Sequence, residues 1–158
     1  MTTTTETIGN DLVLTRIFDA PREKLFRAWT EPALLKQWFA PKPHTTPVIE
    51  LDLRPGGGNR IVMRSPEGQE FPVRGVYLEV VKNERIVFTD AYTAGWEPSA
   101  KPFMTVVLTF EDLGAGKTRY TARVRHWTAA DRETHEKMGF HEGWRICTEQ
   151  LAELVAKL

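Results

Sequence analysis

The sequence predicts an α+β domain in which a curved antiparallel sheet wraps a long C-terminal helix, and two features carry that prediction. The last stretch, MGFHEGWRICTEQLAELVAKL, sets Phe140, Trp144, Cys147, Leu151, Leu154, Val155 and Leu158 at steps of three and four, the spacing of one helical face. Almost everything upstream reads as short strands divided by Gly, Pro and Asn turns, and hairpin turns make neighbouring strands antiparallel. An apolar face of that width must lie on a partner of similar length, and a sheet is what the rest of the chain offers.

The elements follow in order. Residues 1–10 are Thr-rich and polar and are expected to be a disordered tail, with a single domain over 11–158. Leu12 to Phe18 is a β-branched first strand. Asp19-Ala-Pro21 opens a helix whose apolar face is Leu25, Phe26 and Trp29, and Thr30-Glu-Pro32 restarts a second short one carrying Leu34, Leu35, Trp38 and Phe39. After a proline-rich loop, strands are expected at Val48–Leu53, Arg60–Arg64, Val73–Val81, Arg85–Tyr92, Phe103–Phe110 and Lys117–Trp127. Thr128-Ala-Ala-Asp131 is a capping box for a helical lead-in to the final helix. Six to seven strands around one long helix make a helix-grip fold, and the helix alone does not fill such a curl, so a cavity is expected between them.

Bulk composition narrows the function classes. At 158 residues, 41% hydrophobic and 27% charged, the chain can bury a real core. Twenty-one basic side chains balance twenty-one acidic ones, so no global field recruits nucleic acid or an anionic membrane. No apolar run reaches a spanning length, and the start lacks the basic and apolar regions of a signal peptide. The one cysteine, Cys147, gives no disulfide framework, and a reducing, cytoplasmic setting is the expectation.

Several fragments imitate catalytic motifs and fail on spacing. Gly114-Ala-Gly116-Lys117-Thr118 ends like a phosphate-binding loop, but position 111 is Glu111 and a strand follows. His135-Glu136 and His141-Glu142 each begin a metalloprotease pattern whose second histidine is absent, so both histidines are expected to be solvated and no metal is expected. His126 shares a strand face with Tyr120, Ala122 and Val124, and either reaches the cavity or sits at the core edge satisfied by backbone. Asp90 and Glu79 raise the same question by parity, and Cys147 reads as a small core residue rather than a nucleophile. The stronger signal is aromatic. Trp38, Phe39, Met63, Phe88, Tyr92, Met104, Tyr120, His126, Phe140, Trp144 and Cys147 are the expected ligand-contacting set, with Trp38, Phe39, Phe140 and Trp144 at the cavity mouth. Gly139 and Gly143 beside them are poor helix formers, consistent with room for a guest.

The segments RIFDAPREKLFRAWTEPALLKQWF, ELDLRPGGGNRIVM, FPVRGVYLEVVKNERIVFTD, TVVLTF and MGFHEGWRICTEQLAEL resemble the C-terminal-domain family of the heat-shock protein 90 ATPase activator homologue. That family lies in the START-like (SRPBCC), polyketide-cyclase superfamily, and the resemblance runs from Leu12 to Leu158. It implies the helix-grip fold and a hydrophobic ligand cavity but no single activity, because fold is a weak guide to function. The eukaryotic activator is similar in its second domain alone, and these 158 residues leave no room for the separate domain that makes much of its chaperone contact. The expected function is therefore binding of a small hydrophobic or aromatic ligand, with no cofactor, no assigned catalysis, no nucleic-acid partner and no membrane partner. A cyclase- or hydratase-type enzyme on a polyketide-like substrate, with His126 as acid–base, is the alternative. A chaperone-interacting module in a stress response is the third reading, and a homodimer is left open.

Overall fold

A computed structural model describes residues 2–158. The sheet begins at the segment expected to be disordered: Thr4–Ile8 (β1) pairs antiparallel along its whole length with Asp11–Phe18 (β2), turning at Gly9. Thr is β-branched and fits a pleated edge, so a Thr run does not by itself signal disorder. Three side chains two residues apart then fasten β1 to the helices. Thr3 donates to Glu149 at 2.8 Å, Thr5 pairs with His141 at 2.9 Å, and Thr7 donates to Glu136 at 3.0 Å.

Arg22–Thr30 (α1) and Pro32–Leu35 (α2) follow β2 and lead to the opposite edge of the sheet. There the chain enters Thr45–Leu51 (β3) and steps back through Gly58–Arg64 (β4), Glu70–Val81 (β5) and Arg85–Thr89 (β6). A two-stranded excursion, Tyr92–Thr93 (β7) with Glu97–Pro98 (β8), precedes Met104–Gly114 (β9) and Lys117–His126 (β10). The main sheet has eight strands in the order β1-β2-β10-β9-β6-β5-β4-β3, every pair antiparallel. The extra strand relative to the sequence reading is β1. Gly57 has no freedom to be anything larger, since a Cβ there would lie 1.9 Å from the Asp52 carbonyl oxygen.

Ala129–Lys137 (α3) is capped as the sequence predicts, with the Thr128 hydroxyl accepting from the Asp131 amide. Gly139 then adopts φ +93°, a left-handed turn that suits glycine and reverses the chain into Phe140–Val155 (α4). The main core joins Leu12, Leu14 and Phe18 of β2, Leu25 and Trp29 of α1, Val106, Leu108 and Phe110 of β9, and Leu151, Leu154 and Val155 of α4. On the outer face, the arginines of β10 pair with neighbouring carboxylates: Arg119 with Glu111 at 2.9 Å and Arg123 with Asp11 at 2.6 Å. Among the described residues no helix is long and apolar enough to cross a membrane.

Candidate functional site

The C-terminal half of α4 belongs to the main core, and the helix packs chiefly on β1, β2, α1 and α3. The inner faces of β4, β5 and β6 therefore lie opposite the first turns of α4 without being filled by them. What remains is a cavity of about 400 Å³. Ile61 and Met63 of β4, Tyr77 of β5, Ile86 and Phe88 of β6 and Tyr120 of β10 form its floor. Phe140, Gly143, Trp144 and Cys147 form the roof, and Trp29, Leu35, Trp38 and Phe39 close one side. Met138, 71% exposed, borders the cavity and marks where it meets solvent.

The side wall is held by local chemistry. The Trp29 and Trp38 rings meet edge to face at 4.8 Å, and the Trp38 indole N–H donates to the Ala28 carbonyl at 3.0 Å. Buried indoles need such a partner. Gln150 of α4 clips the following loop: its amide donates to the Trp38 and Ala40 carbonyls at 3.0 and 2.9 Å and accepts from the Lys42 amide at 3.0 Å. Overhead, Gly143 is helical, and a Cβ built on it would meet nothing within 4 Å.

The polar side chains on the lining are Asn59, Arg74, Thr89, Asp90, His135 and Thr148, together with the two tyrosines. The Tyr120 hydroxyl accepts from the Trp29 indole at 3.1 Å, which leaves its own hydrogen to donate. Burial pushes the phenols of Tyr77 and Tyr120 well above their usual range, so both stay neutral. Asp90 accepts the Phe103 and Met104 amides at 2.8 and 3.0 Å through one oxygen. Cys147 donates to the Phe39 carbonyl at 3.1 Å, and burial raises its thiol to about 12, which makes it a packing residue and not a nucleophile. At the α3 end, His135 is buried between Phe103 and Phe140, with ring centroids 5.1 and 5.0 Å away. Burial first, then His126 and His141, lowers its pKa from 6.5 to about 4. No group of three or more His, Cys, Asp or Glu that could hold a metal ion occurs among the described residues.

Nine of the eleven residues expected from the sequence border the cavity: Trp38, Phe39, Met63, Phe88, Met104, Tyr120, Phe140, Trp144 and Cys147. Trp38 and Phe140 are 3% and 2% exposed, so they are inner wall and not mouth. Tyr92 does not reach the cavity; it stacks edge-on with Trp96 at 5.8 Å on the exposed β7–β8 excursion. His126 does not reach it either. Its ring is held by the Asn10 carbonyl at 2.8 Å and by His135 at 2.9 Å. His135, expected to be solvated, is the histidine on the cavity wall. The lead-in helix has little apolar periodicity to signal the position of His135, whose burial comes from Phe103, His126 of β10 and Phe140 of α4 closing over it. His141 is likewise engaged, between Thr5 and Glu136.

The model of the family described as "Activator of Hsp90 ATPase homolog 1-like protein" matches residues 19–156. Protein NE0264 from Nitrosomonas europaea is 41% identical, with 96% of this chain and 97% of that one covered and a TM-score of 0.90. A protein from Staphylococcus epidermidis is 29% identical over 98% of this chain and 94% of its own, at a TM-score of 0.80. Ms6760 from Mycobacterium smegmatis is 25% identical over 98% and 95%, at 0.81. No functionally curated protein matches the chain.

Proposed function

This chain belongs to the Activator of Hsp90 ATPase homolog 1-like family, and we propose that it binds a small apolar or aromatic compound in the cavity beneath α4 without transforming it. The single observation that carries the reading is the cavity itself. About 400 Å³ walled by tryptophan, phenylalanine, tyrosine and aliphatic side chains falls in the size range of small-molecule sites and has their character. The reading without chemistry is supported by how the candidate reactive groups are engaged. Cys147 is a neutral, hydrogen-bonded thiol, Asp90 braces two amides, and both ring nitrogens of His126 have protein partners. The cyclase- or hydratase-type alternative needs an acid–base group in reach of substrate; His126 is not one, and His135, which borders the cavity, is a weak base because burial lowers its pKa to about 4. A reducing, cytoplasmic setting suits the free thiol.

Native mass spectrometry of the freshly purified protein, followed by a thermal-shift screen of apolar and aromatic compounds, tests the proposal. A ligand at a hundred times its dissociation constant adds about 3 kcal/mol of stability. A co-purifying mass or a clear upward shift is the expected result. Absence of both across the screen would defeat the proposal and turn attention to the outer surface and to chaperone partners.

A further inference from the structure

The two buried histidines form a relay whose protons can be assigned. His126 Nδ1 lies 2.8 Å from the Asn10 carbonyl oxygen. A carbonyl oxygen only accepts, so Nδ1 carries the hydrogen, and in the neutral ring Nε2 is bare. That bare nitrogen lies 2.9 Å from His135 Nδ1. One of the two facing nitrogens must supply a hydrogen, so His135 Nδ1 is protonated and its Nε2 is the bare atom. His135 Nε2 has no partner among the described residues, yet it is not among the fully enclosed unpaired polar atoms. It therefore keeps accessible surface, and His135 is one of the residues that border the cavity.

We infer that His135 Nε2 is a hydrogen-bond acceptor that faces the cavity, and that the ligand it selects is an aromatic compound carrying a hydroxyl donor, of the phenol or naphthol class. The inference rests on the cavity-binding reading and narrows it. Phe103 and Phe140 flank His135, and Trp144 lies against Phe140 with centroids 5.2 Å apart, so a flat ring suits the space beside the acceptor. The tyrosine hydroxyls can donate as well as accept. The bare nitrogen can only accept, and it leaves an unpaired group beside any ligand without a donor. His135 stays uncharged at neutral pH because burial holds its pKa near 4, which suits an anchor and makes it a weak base. His126 does not touch the ligand; it is a positioning residue that keeps the hydrogen on His135 Nδ1.

The test compares three probes by direct titration: 1-naphthol, 1-methylnaphthalene and 1-naphthylmethylamine. The wild-type protein should bind 1-naphthol about ten-fold more tightly than 1-methylnaphthalene, the worth of one buried hydrogen bond. His135→Phe should erase that preference while retaining 1-methylnaphthalene. Equal binding of the two by the wild type overturns the acceptor role and leaves the cavity reading standing. Tighter binding of the amine that His135→Phe leaves unchanged assigns the anchor to the Asp90 carboxylate and also overturns it, and no binding of any probe removes both readings. Nitrogen-detected NMR of histidine-labelled wild-type protein checks the relay without a mutation. His135 should show a protonated Nδ1 and a bare Nε2, the latter shifting with 1-naphthol and not with 1-methylnaphthalene. A protonated Nε2 in the free protein sinks the inference. In His126→Phe, the same spectrum should show His135 losing its fixed tautomer, which loss of packing alone would not produce.

Discussion

A histidine buried in its uncharged form takes up a proton once the chain unfolds in mild acid. His135 has a folded pKa of about 4 against 6.5 when solvated, with burial the larger cause and His126 and His141 adding to it. The unfolded state therefore binds more protons between those values. Stability is intact above pH 6.5 and falls as the pH drops toward 4, by about 3 kcal/mol in total from this residue. Urea unfolding of wild type and His135→Phe at pH 7 and pH 4.5 should show the wild type losing more, and parallel losses would contradict the assignment. Gly143 offers a consequence of opposite sign. It is a helical glycine with open space where a Cβ would go, so Gly143→Ala should raise stability by about 1 kcal/mol, measured by the same unfolding curves. Gly143→Leu should instead intrude on the cavity and weaken probe binding. At this scale the sequence was a fair guide where side chains are large and apolar, since periodicity alone brought nine residues to the cavity wall. It failed for Tyr92, and of the two placements open for His126 the core-edge one, satisfied by the Asn10 carbonyl, is the one found; both positions lie at or beyond strand ends, where parity stops deciding direction.

Elements were easier to see than their fastenings. Seven strands, the capped lead-in and the final helix follow from alternation, turn residues and 3.6-residue spacing. β1 was not seen because it contributes little apolar surface. Its trace was present as a run of β-branched threonines, of which Thr3, Thr5 and Thr7 share one face, but their value depends on Glu149, His141 and Glu136 more than a hundred residues later. Deleting residues 1–8 should cost on the order of 3 kcal/mol, about one for each of these hydrogen bonds, and should raise amide exchange in β2. Gln150 was invisible for a similar reason: a glutamine at the edge of a helix's apolar stripe carries no sign that three backbone groups of a distant loop depend on it. Gln150→Ala should cost about 2 kcal/mol and loosen Trp38 and Phe39, so that chemical unfolding and probe affinity both deteriorate.

For the whole molecule, the fold class and the existence of a hollow were legible, and the hollow's location was not. A helix-grip outline says that one helix faces a curved sheet; it does not say that the C-terminal half of α4 settles on β1 and β2 while its first turns stand over β4–β6. That offset is set by the chain between β2 and β3 and by Gly139, through packing that no periodicity encodes.

The same offset has a mechanical side. Volume that neither side chains nor water fill is surrendered when the chain unfolds, so the dry part of the hollow makes the folded state soft toward compression. Hydrostatic pressure should unfold the wild type earlier than Gly143→Leu, and 1-naphthol should harden it, a result that high-pressure tryptophan fluorescence would register. Occupancy would then govern the compliance of β4–β6 relative to the rest of the sheet, making the guest a part of the molecule's elasticity.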